Sequence, residues 1–184
     1  MRNENILEQV RLFAESAHGT QKRKYRDELY IRHPERVMET CRSVGSGTEI
    51  LAAALLHDVL EDTEVDEREM LEFLETVFPP EPARKTLDLV IEMTDVYTKE
   101  KFPHLNRRAR KAKELERIKN TSADAQTIKY ADIMDNAPDT TEHDPGFAKK
   151  MLHEYRVMLN ETAKGNEQLY KKAVATVNAC LKML

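Results

Sequence analysis

The sequence lacks tryptophan and is poor in the residues that interrupt regular structure. Its 184 residues include five glycines and seven prolines, whereas a β-sandwich needs many short strands joined by turns rich in these two residues. No internal repeat, low-complexity tail or convincing strand pattern is present. These absences argue against a turn-rich β-fold.

Cysteine is scarce, and no apolar run is long enough to span a membrane. Cys41 and Cys180 lie far apart with no CxxC spacing, so we expect reduced core thiols rather than a disulfide framework. The N-terminus carries charges where a secretory signal needs an apolar run. We therefore expect a soluble, cytoplasmic protein with no membrane partner.

Charge of neither sign dominates. The net charge of −4 argues against a general nucleic-acid partner, although it leaves room for a local basic pocket. Hydrophobic residues make up 40% and charged residues 34% of the chain, which is typical of a folded globular protein. The length is that of one domain, over residues 1–184.

Helical periodicity runs through nearly the whole chain, so we predict an all-α fold. The first helix ends at Gly19 and carries an apolar stripe of Ile6, Val10, Phe13 and Ala17. The second helix opens at Pro34 and closes at Gly45, and Thr48 caps the third. Further helices are predicted at roughly 66–77, 82–94, 105–119, 123–137, 144–163 and 167–183, with a break at 79–82.

Residues 99–119 are dense in lysine and arginine. Such a segment is either mobile or substrate-facing, or it is the solvated face of a helix. The sequence favours neither interpretation.

An apolar run over residues 51–56 leads directly into His57 and Asp58, and Glu61 and Asp62 follow within one turn. Buried His and Asp need a partner, because an unpaired charge in an apolar core is strongly disfavoured. A bound cation would supply one, since neighbouring helical residues point about 100° apart and could straddle an ion at the helix edge. The alternative is a solvent-facing pair at a helix end.

Two further residues favour the metal interpretation. His33 directly precedes Pro34, which favours an extended backbone and an imidazole at the mouth of a helix. Asp132 falls on the apolar stripe of its predicted helix, although Lys129 could instead pair with it. Two imidazoles and two carboxylates suit Mn²⁺, Fe²⁺ or Zn²⁺ with room for water, and fit a closed structural zinc site poorly.

These residues lie in longer stretches that resemble the HD-domain phosphohydrolases. The resemblance is close to the small stand-alone alarmone hydrolases, which are similar to the hydrolase half of RelA/SpoT enzymes and to the metazoan SpoT homologue. The matching stretches follow the family's order across residues 10–170: 21–24, 30–34, 53–63, 93–95 and 129–136. The HDxxEDT run, with YxxHP before it and KxADxxxN after it, is far more specific than an HD doublet alone.

The resemblance implies an HD-domain helical bundle with a central metal site, formed by one hydrolase domain over residues 1–184. It implies hydrolysis of the 3′-pyrophosphate of guanosine tetra- or pentaphosphate to GDP or GTP plus pyrophosphate. The length leaves no room for a synthetase domain, so we expect no synthesis. The implied cofactor is Mn²⁺, or another divalent cation such as Fe²⁺, Zn²⁺ or Mg²⁺.

The resemblance also implies a role for each matching residue. The metal ligands are His33, His57, Asp58 and Asp132. Glu61 and Asp62 match the acidic pair that handles the attacking water. Three residues match contacts to the nucleotide, namely Arg23 and Lys24 at the guanine and its phosphates and Asn136 at the sugar.

Two stretches depart from the family pattern. Residues 27–30 read Asp-Glu-Leu-Tyr where the family usually has Gly-x-Pro-Tyr, and residues 134–136 read Met-Asp-Asn where an aromatic residue or His commonly precedes the Asn. Both changes fall around the nucleotide and spare the metal ligands. An HD-type phosphatase for NADPH or a nucleoside monophosphate, and a non-catalytic alarmone sensor, are therefore the alternatives. The Glu61–Asp62 pair argues against a sensor, which does not need it.

Overall fold

The computed structural model describes residues 2–184, and these form ten helices and no strand. The all-α prediction is confirmed. The helices are α1 (Arg2–His18), α2 (Arg32–Arg42), α3 (Thr48–Leu56), α4 (Val59–Asp62), α5 (Glu67–Val77), α6 (Pro80–Met93), α7 (Arg107–Ile118), α8 (Ala123–His143), α9 (Pro145–Glu161) and α10 (Glu167–Met183). They fall into two compact units, with the boundary after Thr94. The single hydrolase domain over residues 1–184 stays a prediction.

The first unit is built around α3. Residues 51–56 of this helix are all buried, because a helix that is apolar on every side must be covered on every side. Helices α1, α2 and α6 pack against it, and α5 packs on α6. The rings of Phe13 and Phe73 stack with their centroids 4.0 Å apart and join α1 to α5.

The second unit is built around α8, which packs against α9 and α10, while α7 packs on α9. The connection between α9 and α10 is tied to α8 by hydrogen bonds. Tyr130 Oη donates to the carbonyl of Thr162 at 2.7 Å, and the backbone N–H of Asn166 donates to Thr127 Oγ1 at 2.8 Å. This connection therefore has a fixed path along the surface of α8.

Helix starts differ from the predictions at three places. Helix α6 begins at Pro80, inside the break predicted at residues 79–82, because proline is tolerated in the first turn of a helix. Helix α2 begins at Arg32, so His33 is helical rather than extended, because proline fits the first turn of a helix, where its missing N–H is not needed. Helix α3 includes Thr48 as its first residue, and Gly47 occupies the cap position. The prediction that Thr48 caps this helix is wrong.

Helix α8 also differs, since it continues six residues beyond the predicted end. It passes through Pro138 to His143. Pro138 is exposed, whereas Asp139, Thr140 and Thr141 are buried. We attribute the continuation to this packing, which outweighs the lost backbone hydrogen bond.

Both cysteines are free and buried, as expected for core thiols. Burial raises the pKa of the Cys41 thiol to about 12, because the apolar surroundings disfavour the thiolate. Across residues 2–184, no helix combines the length and the apolar character that crossing a membrane requires.

Gly165 lies where the connection between α9 and α10 touches α8. A Cβ atom at this position would stand 2.6 Å from Tyr130 Cε2 and 2.8 Å from the backbone nitrogen of Thr127. We expect Gly165→Ala to lower the free energy of unfolding by about 1–3 kcal/mol, because the backbone must move to relieve the overlap. Urea denaturation of the two proteins measures the difference.

Gly146 supplies the matched control. It lies in α9, and a Cβ atom there would have no neighbour within 4 Å. Gly146→Ala should leave stability unchanged or raise it by about 0.5–1 kcal/mol, because alanine favours a helix. Equal stability of Gly165→Ala and the wild type would contradict the close-approach argument.

Candidate metal centre

The His57–Asp58 pair lies at a break between two helices. Leu56 is the last residue of α3, and Val59 is the first residue of α4. The sequence interpretation, in which one helix carries both residues at its edge, is therefore wrong in its geometry. The alternative of a solvent-facing pair does not hold for His57 either, since only 2% of its surface is exposed.

Helix α2 brings His33 to the same place. His33 Nε2 lies 3.6 Å from Asp58 Oδ2, and His57 Nε2 lies 3.1 Å from the same oxygen. One potential ligand atom from each of the three residues lies within 4.8 Å of the other two. Both imidazoles are buried, while Asp58 is partly exposed.

Hydrogen bonds orient two of these ligand atoms. The Ala54 carbonyl can only accept, so His57 Nδ1 donates to it at 2.8 Å and the lone pair of a neutral His57 lies on Nε2. Tyr30 Oη donates to Asp58 Oδ2 at 2.7 Å. Metal-binding histidines typically have their second ring nitrogen held by a carbonyl or carboxylate in this way.

The donor set fits a divalent cation. One nitrogen of each imidazole and one carboxylate oxygen lie within 4.8 Å of one another, and a cation between them would neutralise the carboxylate and could be coordinated by all three. Imidazole with carboxylate suits Mn²⁺, Fe²⁺ and Zn²⁺, whereas Mg²⁺ prefers oxygen ligands and water.

Asp132 belongs to the second unit, where it is buried in α8 as the apolar stripe predicts. Lys129 Nζ lies 2.9 Å from its Oδ2 atom, so the ion pair considered from the sequence is formed. Asn136 Nδ2 donates to its Oδ1 atom at 2.5 Å. The role of Asp132 as a fourth ligand stays a prediction.

Asp95 adds a second carboxylate to the charges near Lys129. Burial would raise the pKa of Asp95, but the positive charges of Lys129 and Lys111 outweigh it and hold that pKa below its usual range. Burial would likewise lower the pKa of Lys129, and the carboxylates of Asp132 and Asp95 raise it instead. Asp95 and Lys129 are therefore both charged at neutral pH.

The predicted acidic pair, Glu61 and Asp62, is exposed on α4. Gln21 Nε2 donates to Asp62 Oδ2 at 3.4 Å, and Gln21 Oε1 lies 2.9 Å from His18 Nδ1. These two contacts connect Asp62 to the end of α1. No role for His18 or Gln21 was predicted from the sequence, although Gln21 begins the matching stretch 21–24.

The predicted nucleotide contacts Arg23 and Lys24 lie in a loop with a hairpin-like path. The backbone N–H of Arg23 donates to Glu28, and that of Tyr30 donates to Gln21. The Arg23 guanidinium lies 5.8 Å from the centre of the Tyr30 ring. Tyr30 thus contacts both Arg23 and Asp58, a role that the sequence analysis missed although Tyr30 opens the YxxHP motif.

Comparison with known proteins identifies the family. A model of the HD domain matches residues 11–156. The chain belongs to the HD-domain family. This confirms the family resemblance inferred from the HDxxEDT and YxxHP motifs.

Individual HD-domain proteins resemble the chain over most of its length. The guanosine-3′,5′-bis(diphosphate) 3′-pyrophosphohydrolase MESH1 of Xenopus tropicalis is 32% identical over 157 residues, which cover 83% of this chain and 80% of the relative. The MESH1 protein of Mus musculus is 33% identical over 165 residues, covering 85% and 84%. A solved structure described as a metazoan ortholog of SpoT that hydrolyzes ppGpp matches with a TM-score of 0.76 at 24% identity, covering 97% of both chains. That match shows the HD-domain fold.

The hydrogen bond from Tyr30 to Asp58 predicts an effect on metal binding. Tyr30→Phe keeps the ring and removes the hydroxyl that orients Asp58 Oδ2. We expect the affinity for Mn²⁺ to fall by about 10–100-fold, the usual cost of losing a group that orients a metal ligand. Isothermal titration calorimetry of the metal-free protein measures this change.

Tyr25→Phe is the matched control, because the Tyr25 hydroxyl contacts Lys24 rather than the cluster. It should bind Mn²⁺ with the affinity of the wild type. An unchanged affinity in Tyr30→Phe would show that Asp58 does not need this hydrogen bond.

Proposed function

We propose that this HD-domain protein is an alarmone hydrolase, which removes the 3′-pyrophosphate of guanosine tetra- or pentaphosphate to give GDP or GTP and pyrophosphate. The observation that carries the proposal is the His33–His57–Asp58 cluster in a chain that aligns with named pyrophosphohydrolases over four fifths of its length. The cluster supports the chemistry, and the relatives support the choice of substrate.

The metal ligands in this proposal are His33, His57 and Asp58, with Asp132 added on the resemblance alone. Mn²⁺ is the cation we propose on the family resemblance, since the donor set alone suits Fe²⁺ and Zn²⁺ as well. A divalent cation would supply an acidified water molecule and would neutralise phosphate charge. The Ala54 carbonyl and the Tyr30 hydroxyl keep His57 and Asp58 turned toward the cation position.

We assign proton transfer to the acidic pair on α4. Glu61 accepts the proton of the attacking water, and Asp62 assists it. Both carboxylates follow Asp58 within one turn, and both are exposed, so water and substrate can reach them. Gln21 Nε2 donates to Asp62 Oδ2 and so ties this carboxylate to the loop that follows α1.

Nucleotide binding is assigned to Arg23 and Lys24, with Asn136 added on the resemblance alone. A guanidinium can stack on a base and carry charge at the same time. Arg23 lies against the face of Tyr30, so the loop that would contact the nucleotide is joined to a residue that orients Asp58.

Glu61→Gln tests the proposed proton transfer. The amide retains the shape of the side chain and cannot accept a proton, so we expect kcat to fall by about 10²–10⁴-fold with metal binding unchanged. Steady-state kinetics and metal analysis of the purified variant measure both quantities. Glu64→Gln is the control, since Glu64 is also exposed but lies beyond α4, and it should turn over at the wild-type rate.

The substrate is tested by identifying the products. With Mn²⁺, guanosine tetraphosphate should be converted to GDP and pyrophosphate in equal amounts, as resolved by anion-exchange chromatography. NADPH and a nucleoside monophosphate belong in the same panel. Release of phosphate from either, with guanosine tetraphosphate left intact, would favour an HD-type phosphatase.

The same panel distinguishes an enzyme from a sensor. A sensor would bind guanosine tetraphosphate, detected by calorimetry, without releasing pyrophosphate under any metal condition. Binding of guanosine tetraphosphate without release of pyrophosphate would overturn the proposed activity.

A further inference from the structure

A groove between α7 and α9 has no role in the proposed hydrolysis. It encloses a volume of about 600 Å³, which is within the size range of small-molecule binding sites. All of its lining residues belong to the second unit. Two residues of the lysine- and arginine-rich segment 99–119, Arg108 and Lys111, line this groove.

The two helices run in the same direction along the groove. Arg107, at the start of α7, forms a two-bond ion pair with Glu154. Lys119, at the end of α7, pairs with Glu161 at 3.1 Å, further along α9. The N-terminal ends of both helices therefore lie toward one end of the groove, and their dipoles add positive potential there.

That end of the groove carries positive charge without matching acids. The side chains of Arg108 and Lys150 form no ion pair or hydrogen bond with any other described residue. The two carboxylates in the lining are already neutralised. Glu154 is held by Arg107, and Glu114 accepts the backbone N–H groups of Val96 and Tyr97 and pairs with Arg117.

The other end of the groove is apolar. It is lined by Leu115, Val157 and Met158, whose side chains offer no strong hydrogen-bonding group to a ligand. Val157 is 50% exposed, so its surface is open to a ligand. Burying such a surface favours binding in proportion to the apolar area removed from water.

We propose that the groove between α7 and α9 binds a small amphiphilic organic anion, whose charged head lies at Arg108 and Lys150 and whose apolar body lies on Leu115, Val157 and Met158. The ligand binds as a free molecule from solution. This site lies outside the proposed catalytic residues, so its test does not depend on hydrolytic activity.

Decanoate, kept below its micelle concentration, is the probe for this site. Isothermal titration calorimetry with the full chain should show one binding event that weakens as salt is raised, because the exposed head contacts are screened. Acetate, which has the head alone, and 1-decanol, which has the body alone, should each bind at least about tenfold more weakly.

Variants test the contribution of each end of the groove to decanoate binding. Arg108→Gln/Lys150→Gln should weaken decanoate binding by about tenfold or more and remove its salt dependence. Val157→Asp should weaken it similarly, by placing a negative charge beside the apolar body. All three positions are exposed or unpaired, so these variants should fold normally.

Lys149→Gln is the matched control, because Lys149 is an exposed lysine of α9 outside the groove lining. It should bind decanoate as the wild type does. The proposal is overturned if 1-decanol binds as well as decanoate, or if the groove variants bind like Lys149→Gln. Binding to phosphatidylglycerol vesicles without binding to decanoate would also overturn it, since the surface would then recognise a membrane.

Discussion

Three groups with lone pairs, from His33, His57 and Asp58, meet in the first unit, and the neighbouring elements hold them together. Such an arrangement is unfavourable by itself, because imidazole nitrogens and a carboxylate oxygen 3.1–3.6 Å apart repel one another unless a cation or proton lies between them. The packing around α3 supplies the constraint, since this buried helix ends one residue before the doublet. A divalent cation at this point would convert the repulsion into stabilisation of the folded state.

The sequence predicted the helical fold because periodicity and spacing report directly on buried helix faces. It did not predict the break at His57, since the apolar run and the polar residues after it fit one continuous helix equally well. The end of α8 was predicted too early. Pro138 is a strong local signal for the end of a helix, but tertiary packing overrides it and the helix continues to His143. Tyr30 and Gln21 were assigned no role because their contacts span 28 and 41 residues, and no local pattern encodes such distances.

The second unit holds a set of partly buried charges around Lys129. Burying ions costs free energy unless each is paired, and here the positive charge of Lys129 interacts with the carboxylates of Asp95 and Asp132. The metal role proposed for Asp132 therefore has to be compatible with its contacts to Lys129 and Asn136.

The loop before α2 shows how the departure from the family pattern can be accommodated. The family usually has Gly-x-Pro-Tyr where residues 27–30 read Asp-Glu-Leu-Tyr, and proline stiffens a loop by restricting its backbone. In this chain, ion pairs restrict the loop instead. Glu28 accepts two hydrogen bonds from Arg36 of α2, and Asp27 pairs with Lys22 across the loop. These pairs are partly or fully exposed, so each contributes little on its own. Their combined effect is to hold Arg23 and Tyr30 beside α2, the helix that carries His33. The altered residues thus hold the loop through ion pairs rather than a proline, and they add two carboxylates to the loop that carries Arg23 and Lys24. We therefore expect these residues to affect the choice of substrate rather than metal binding.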